Sequence, residues 1–132
     1  MEVTAELISL VKNILNSAGL NVPVFSLAPD VESPLPVVTI QKAGGSIVSP
    51  LDPDGPWWVR ADYEISVWAK TNKEKYEIAE AIISGLKSSN PNPTQTIAWV
   101  KVLNEGTDIT QRETRTTIHR LTIPIQIFYI RA

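Results

Sequence analysis

The segment from Trp57 to Lys70 constrains the fold more than any other part of the chain, because apolar and polar residues alternate along most of its length. Its apolar positions share one parity: Trp57, Val59, Ala61, Tyr63, Ile65, Val67 and Ala69. Side chains of a β-strand point to opposite faces in turn, so the pattern predicts a long strand with one face buried and the other in water. Such a strand needs partner strands and a second layer that covers its apolar face.

Two amphipathic helices are predicted to supply that layer. The first has apolar residues at steps of three and four, namely Val3, Leu7, Leu10, Val11, Ile14 and Ala18, and Gly19 predicts its end. The second begins after the long strand, where Thr71 and Glu74 match a capping box. Its predicted apolar stripe consists of Tyr76, Ala79, Ile82, Ile83 and Leu86, and two prolines at positions 91 and 93 follow it.

The remaining strands are predicted from β-branched and aromatic residues. They span about 23–27, 36–42, 94–103 and 112–130, and a turn is expected at 104–108. Pro124 lacks an amide donor, which favours an edge position or a bulge within the last strand. The order of elements predicts an α+β fold, a single domain with a mainly antiparallel four- to five-stranded sheet. Both helices are expected to pack on one face, beside a long β-hairpin extension.

The segment from Ala43 to Pro56 has an unusual composition, with three glycines, three prolines and two aspartates. These residues disfavour regular structure, so the sequence predicts an irregular, flexible tip of a long hairpin between two strands. Connections of this length inside a compact domain are usually functional or mobile.

Length and charge narrow the classes of function. The 132 residues fit one domain, 1–132, and the net charge of −2 gives no basic footprint for nucleic acid. The absence of cysteine excludes disulfides and thiolate chemistry. The acidic N-terminal residues do not resemble a signal peptide, and no apolar run is long enough for a membrane helix. We therefore expect no membrane partner.

Residues that could carry chemistry do not combine into a catalytic or metal-binding set. His119 is the single histidine, and no nucleophile or orienting carboxylate accompanies it in the sequence. Asp52 and Asp54 lack further oxygen ligands for calcium, and Gly44-Gly45 does not open a phosphate-binding helix. Asp62 and Glu64 share one strand face, where a solvated surface explains them. We expect a protein that is not an enzyme and needs no cofactor or metal.

Aromatic residues are more informative about function than the titratable residues. Trp57 and Trp58 are adjacent on a strand, so their side chains must point to opposite faces. In one interpretation, one tryptophan lies in the core and its neighbour covers the hairpin tip. In the alternative interpretation, one of the two tryptophans docks against a neighbouring subunit. Phe128 and Ile130, on the otherwise polar face of the last strand, raise the same question.

Nearly the whole chain resembles the tail terminator, or tail completion, proteins of long-tailed bacteriophages. The resemblance follows the N-terminal helix and four strings: Val22 to Phe25, Pro34 to Ile40, Arg60 to Ala69 with the helix from Lys73 to Ile83, and Arg120 to Tyr129. It implies a ring, commonly a hexamer, that caps the completed tail tube and offers a surface to the head–tail connector. DNA would pass through the ring without being read, and the protein would assemble in the host cytoplasm and reside at the head-proximal end of the virion tail.

Candidate interface residues follow from the hairpin tip, the tryptophan pair and the outer face of the last strand. They are Ser46, Val48, Leu51, Asp52, Asp54, Trp57, Trp58, Arg112, Arg115, Phe128 and Ile130. Two alternatives stay open at this point. One is another neck or baseplate adaptor of the virion. The other is a small-molecule-binding regulatory α+β domain with an apolar pocket near Trp68 and Trp99.

Overall fold

A computed structural model describes residues 3–26, 35–50, 57–113 and 116–131, with side chains except at 45–50, 57–58, 109–113, 116–117 and 130–131. The elements are α1 (Val3–Ser17), β1 (Val24–Phe25), β2 (Val37–Pro50), β3 (Trp57–Ala69), α2 (Asn72–Ser89), β4 (Ile97–Val102), β5 (Thr107–Glu113) and β6 (Thr116–Arg131). The strand order is β1-β2-β3-β6-β4, and β5 pairs with β6 alongside. The pairings are antiparallel except for β1 with β2, which confirms the predicted α+β class.

The alternation in β3 creates the core, as predicted. Its buried residues Tyr63, Ile65 and Val67 lie in register with Ile125, Ile123 and Leu121 of β6, which are buried as well. Both helices cover this face, and their buried residues are Leu7, Val11 and Leu15 of α1 and Ile78, Ala79, Ile82 and Leu86 of α2. Burial of apolar surface at about 25 cal/mol per Å² is the main force that holds the layers together.

The predicted helix ends are confirmed in detail. The Thr71 hydroxyl accepts a hydrogen bond from the backbone N–H of Glu74 at 3.2 Å, which satisfies one free donor of the first turn of α2. At the end of α1, Gly19 adopts a φ of 77°, and Leu20 donates its N–H to the Leu15 carbonyl at 2.9 Å. This is a Schellman termination, in which glycine takes the left-handed position without a Cβ penalty.

The predicted irregular tip at 43–56 is wrong for its first part. β2 continues through Ala43 to Pro50, and its ladder with β3 reaches Pro50 opposite Trp57. The β2–β3 register shifts between Lys42 and Gly44 and again between Ile47 and Ser49. Such bulges accommodate glycine and leave one residue unpaired, so the strand continues despite an unfavourable composition. The second part, 51–56, lies outside the described residues.

The C-terminal third holds one strand more than expected, which brings the sheet to six strands in the described part of the chain. The sequence predicts a turn at 104–108 and a strand from 112, whereas β5 already begins at Thr107 and Arg112 belongs to it. Pro124 does not lie at an edge, because β6 is paired on both sides. The Pro124 carbonyl accepts a hydrogen bond from the Leu103 N–H at 3.0 Å. The nitrogen of Pro124, which lacks an amide proton, therefore points to the same side, where β4 has ended and β5 has not yet begun.

The two helices cross closely at Gly85. A Cβ placed there would lie 2.3 Å from Ile14 Cγ2, and isoleucine in a helix has little freedom to change its χ1. We therefore expect Gly85→Ala to lower the free energy of unfolding by about 1–2 kcal/mol, despite the better helix propensity of alanine. Urea unfolding checks this, and Gly85→Ala combined with Ile14→Ala should recover part of the loss. An increase in stability from Gly85→Ala alone would contradict the close crossing.

Candidate functional site

One face of the sheet is not covered by the helices, and side chains there join the three neighbouring strands β2, β3 and β6. The Trp68 indole N–H donates to Thr39 Oγ1 at 3.0 Å, and the Arg120 guanidinium lies 4.4 Å from the Trp68 ring centroid. Arg120 also donates to Ser66 Oγ at 3.2 Å. Thr39 and Ser66 are buried beneath these groups. This end of the uncovered face is therefore a closed, internally satisfied network.

The other end of the same face carries an exposed pair of aromatic residues, the aromatic patch, made of Trp99 and Phe128. Their backbones are in register between β4 and β6, at a distance where cross-strand side chains interact. Trp99 is 47% exposed and Phe128 is half-buried. Large exposed aromatic groups on a sheet face are typical of surfaces that bind another protein.

The sequence predicts Phe128 as an interface residue but omits Trp99. The two meet only because β4 pairs with β6 and its register shifts between Ile97 and Trp99, and neither fact has a local sequence signal. The shift places Ile97 and Val100 in the core and leaves Trp99 on the uncovered side.

The other predicted interface residues divide into two groups. Six lie on strands, but the structure does not describe their side chains: Ser46, Val48, Trp57, Trp58, Arg112 and Ile130. Trp58 is in register with Ile130, two positions along β6 from Phe128. Outside the described residues lie Leu51, Asp52, Asp54 and Arg115.

Among the described residues, Trp68 and Trp99 do not line a common pocket. Trp68 lies opposite Arg120 of β6, and Trp99 lies opposite Phe128. Eight residues of extended strand separate those two positions on β6, which corresponds to roughly 27 Å. The sequence-based expectation of a closed pocket between the two tryptophans is therefore wrong.

A groove of about 540 Å³, the α2 groove, runs between the outer side of α2 and the β4–β5 turn. Three carboxylates and one ammonium group line it, together with apolar residues at its floor. The lining residues are Tyr76, Ala79, Glu80, Ile83, Ser84, Lys87, Glu105, Gly106, Asp108 and Leu121. A second groove, of about 430 Å³, lies between α1 and residues 93–95.

A buried lysine lies at one end of the α2 groove. Lys75 is 1% exposed, and its ammonium group contacts Asp108 Oδ1 at 2.6 Å and Asn72 Oδ1 at 3.0 Å. The sequence assigns the buried position to Tyr76, which is wrong, because Tyr76 is 49% exposed. The Tyr76 hydroxyl instead donates to Asp108 Oδ2 at 2.6 Å. One carboxylate on β5 thus binds two consecutive residues of α2.

Electrostatics in this cluster follow from the hydrogen bonds. The bond from Lys75 lowers the pKa of Asp108 below its ordinary value of 3.8, with smaller effects from Tyr76 and His119. The hydrogen bond from Tyr76 to Asp108 raises the pKa of the Tyr76 hydroxyl, since loss of its proton would place a second negative charge beside the carboxylate. Asp108 is therefore a charged tether between β5 and α2.

The remaining titratable residues are dispersed. His119 Nδ1 is inaccessible to solvent and has no hydrogen-bond partner among the described residues. Arg60 Nε lies 3.5 Å from Asp62 Oδ1 in a loose, partly exposed ion pair, and Glu64 is exposed. Within residues 3–26, 35–50, 57–113 and 116–131, no three His, Asp or Glu side chains cluster as metal ligands do. In that same part of the chain, neither helix has the length and apolarity to cross a bilayer.

Comparison with known proteins identifies a structure of similar fold. No described protein family matches the sequence, and no curated protein does. Among solved structures, the chain is similar to one described as "Virion of native gene transfer agent (GTA) particle". The TM-score is 0.52 at 12% identity, and the match covers 91% of this chain and 84% of the other. At that identity the likeness concerns the fold, and it extends over nearly the whole of both chains.

Proposed function

We propose that this protein is a structural component of a virion, which forms a ring at the head-proximal end of a phage tail. The ring caps the tail tube, ends its polymerisation and offers a docking surface to the head connector. The proposal is carried by the shared fold with a chain of a gene transfer agent virion over 91% of this sequence. The resemblance of the sequence to tail terminator proteins points the same way.

The surface of the molecule suits a role in assembly. The aromatic patch exposes Trp99 on a sheet face that the helices do not cover. Tryptophan in the centre of an interface commonly contributes more binding energy than its neighbours, because it buries a large area on a rigid side chain. We assign this patch to contact with the tail tube.

The titratable groups support a non-enzymatic role. The most perturbed ones, Asp108 and Tyr76, are satisfied by each other and by Lys75, which is the arrangement of a structural tether. We therefore propose binding through surfaces and no catalysed reaction.

Electron microscopy and light scattering of the purified protein test the proposal. We expect ring-shaped particles of a single size and binding of those particles to one end of isolated tail tubes. Addition of the protein to polymerising tube subunits should stop elongation. A protein that neither binds tube ends nor changes tube length would contradict the terminator role, and binding at the connector or baseplate alone would move it to another adaptor position.

A further inference from the structure

The strand β4 lies at one side of the sheet, where it pairs with β6 and with no second strand among the described residues. An open strand edge presents free N–H and C=O groups that can pair with a strand of another molecule. The sequence of β4, Ile-Ala-Trp-Val-Lys-Val, is rich in β-branched and aromatic residues and carries one charge, on Lys101. Short segments of this composition are prone to intermolecular pairing when they lie at an edge.

The residue that follows α2 closes this edge. Asn90 Nδ2 donates to the Val100 carbonyl at 2.7 Å, and Asn90 Oδ1 accepts from the Val100 N–H at 2.8 Å. These are the two hydrogen bonds that a residue of an antiparallel neighbouring strand would exchange with Val100. In the same loop, the Asn92 N–H donates to the Ala98 carbonyl at 2.8 Å. The outer edge of β4 is therefore occupied at both Ala98 and Val100.

The covering segment does not offer a new edge in its turn. Residues 90–93 read Asn-Pro-Asn-Pro, and the two prolines have no N–H to donate. The N–H of Asn92, which lies between them, is already bound to Ala98. Asn92 also has a φ of 59°, in the left-handed region, which interrupts an extended backbone. A further strand thus has no regular ladder to pair with here.

We propose that the Asn90 side chain is a cap that prevents strand addition at β4, and that the strand it excludes is β4 of a second copy of this chain. An edge that meets its own copy about a two-fold axis is self-complementary, so every copy carries a matching partner. With this edge closed, copies associate through side-chain surfaces such as the aromatic patch. The inference does not depend on the proposed ring, because its contacts lie within one chain.

Removal of the side-chain amide in Asn90→Ala tests the cap. At low protein concentration, the Val100 N–H should exchange with deuterium at least ~10-fold faster than in the wild type, because it has lost its acceptor. At higher concentration, Asn90→Ala should form particles larger than those of the wild type, and exchange at Val100 should slow again as copies pair. Sedimentation velocity gives the particle size, and mass spectrometry of the peptide that contains Val100 gives the exchange.

Three control variants separate the cap from a general loss of stability. Asn92→Gly keeps the N–H that binds Ala98 and tolerates the left-handed backbone, so it should match the wild type in size. Gly85→Ala is expected to be less stable but retains Asn90, so it should not form the larger particles. Asn90→Asp loses the bond to the Val100 carbonyl but places a charge at the edge, which opposes strand pairing. It should therefore remain at the wild-type size.

Two results would overturn the proposal. One is an Asn90→Ala variant that exposes the Val100 N–H but keeps the wild-type size at all concentrations, and the other is equal association in Asn90→Ala and Gly85→Ala. If circular dichroism shows that Asn90→Ala does not fold, Asn90→Ser, whose shorter side chain carries one polar atom, takes its place in the same measurements. Failure of the cap leaves the proposed function standing. A wild type that neither forms rings nor binds tube ends would contradict that function and leave the cap untouched.

Discussion

Replacement of both residues of the aromatic patch, Trp99→Ala with Phe128→Ala, is expected to weaken binding to tail tubes by about 30- to 100-fold. The reason is that central aromatic residues of an interface commonly contribute 2 kcal/mol or more, and ~1.4 kcal/mol corresponds to a factor of ten in affinity. The fold should persist, since Trp99 is 47% exposed and Phe128 is only half-buried. Co-sedimentation with isolated tubes measures the affinity.

A matched control exists at the opposite edge of the sheet. Phe25 on β1 is 48% exposed, nearly the same as Trp99 at 47%, but it lies on the far side of β2 and β3. Phe25→Ala should leave tube binding unchanged. Equal losses in Phe25→Ala and in the double variant would indicate a general hydrophobic effect and contradict a specific patch.

The second large effect is expected from Asp108→Ala. This change leaves the Lys75 ammonium group buried, with Asn72 as its hydrogen-bond partner among the described residues and the Tyr76 ring centroid 4.5 Å away. Loss of one member of a buried ion pair costs about 3–5 kcal/mol, and we expect about 2–3 here because water can reach the space that Asp108 vacates. Chemical denaturation measures the loss.

A double variant tests whether the stability loss in Asp108→Ala comes from the unpaired charge of Lys75. Lys75→Met removes the ammonium group while it keeps an unbranched side chain of similar length, so Lys75→Met with Asp108→Ala should recover most of the stability. A double variant as unstable as Asp108→Ala would show that the carboxylate acts through something other than Lys75.

The pH dependence of the tether has a defined sign. The folded-state pKa of Asp108 lies below its ordinary value of 3.8, so its stabilising contribution is complete above that value and is lost as the pH falls through the depressed pKa. Asp108→Asn removes this contribution at neutral pH. The stability difference between wild type and Asp108→Asn should therefore shrink on acidification toward about pH 2. A difference that stays constant with pH would contradict an ionised tether.

Local sequence signals predicted the elements whose boundaries depend on a few neighbouring residues. The Thr71 cap, the Gly19 termination and the buried face of β3 all appear as expected. The same signals failed for β2, where Gly44, Gly45 and Pro50 disfavour a strand locally. Pairing with the strongly alternating β3 outweighs that preference, because each ladder position adds contacts that a propensity does not count.

The candidate surfaces depended more heavily on tertiary structure. Phe128 could be predicted from its position on a polar strand face, but its neighbour Trp99 comes from a strand 29 residues away and pairs through a shifted register. Lys75 is buried although lysine is a surface residue, since Asp108 arrives from β5 to meet its charge.

Local patterns in the sequence were enough to predict the α+β class, the buried face of β3, the end of α1 and the start of α2. They were enough because periodicity and capping act over a few residues. Which strands are neighbours and which lysine is buried follow only from the folded chain. These depend on partners distant in sequence, whose contributions to the free energy exist only after the chain has folded.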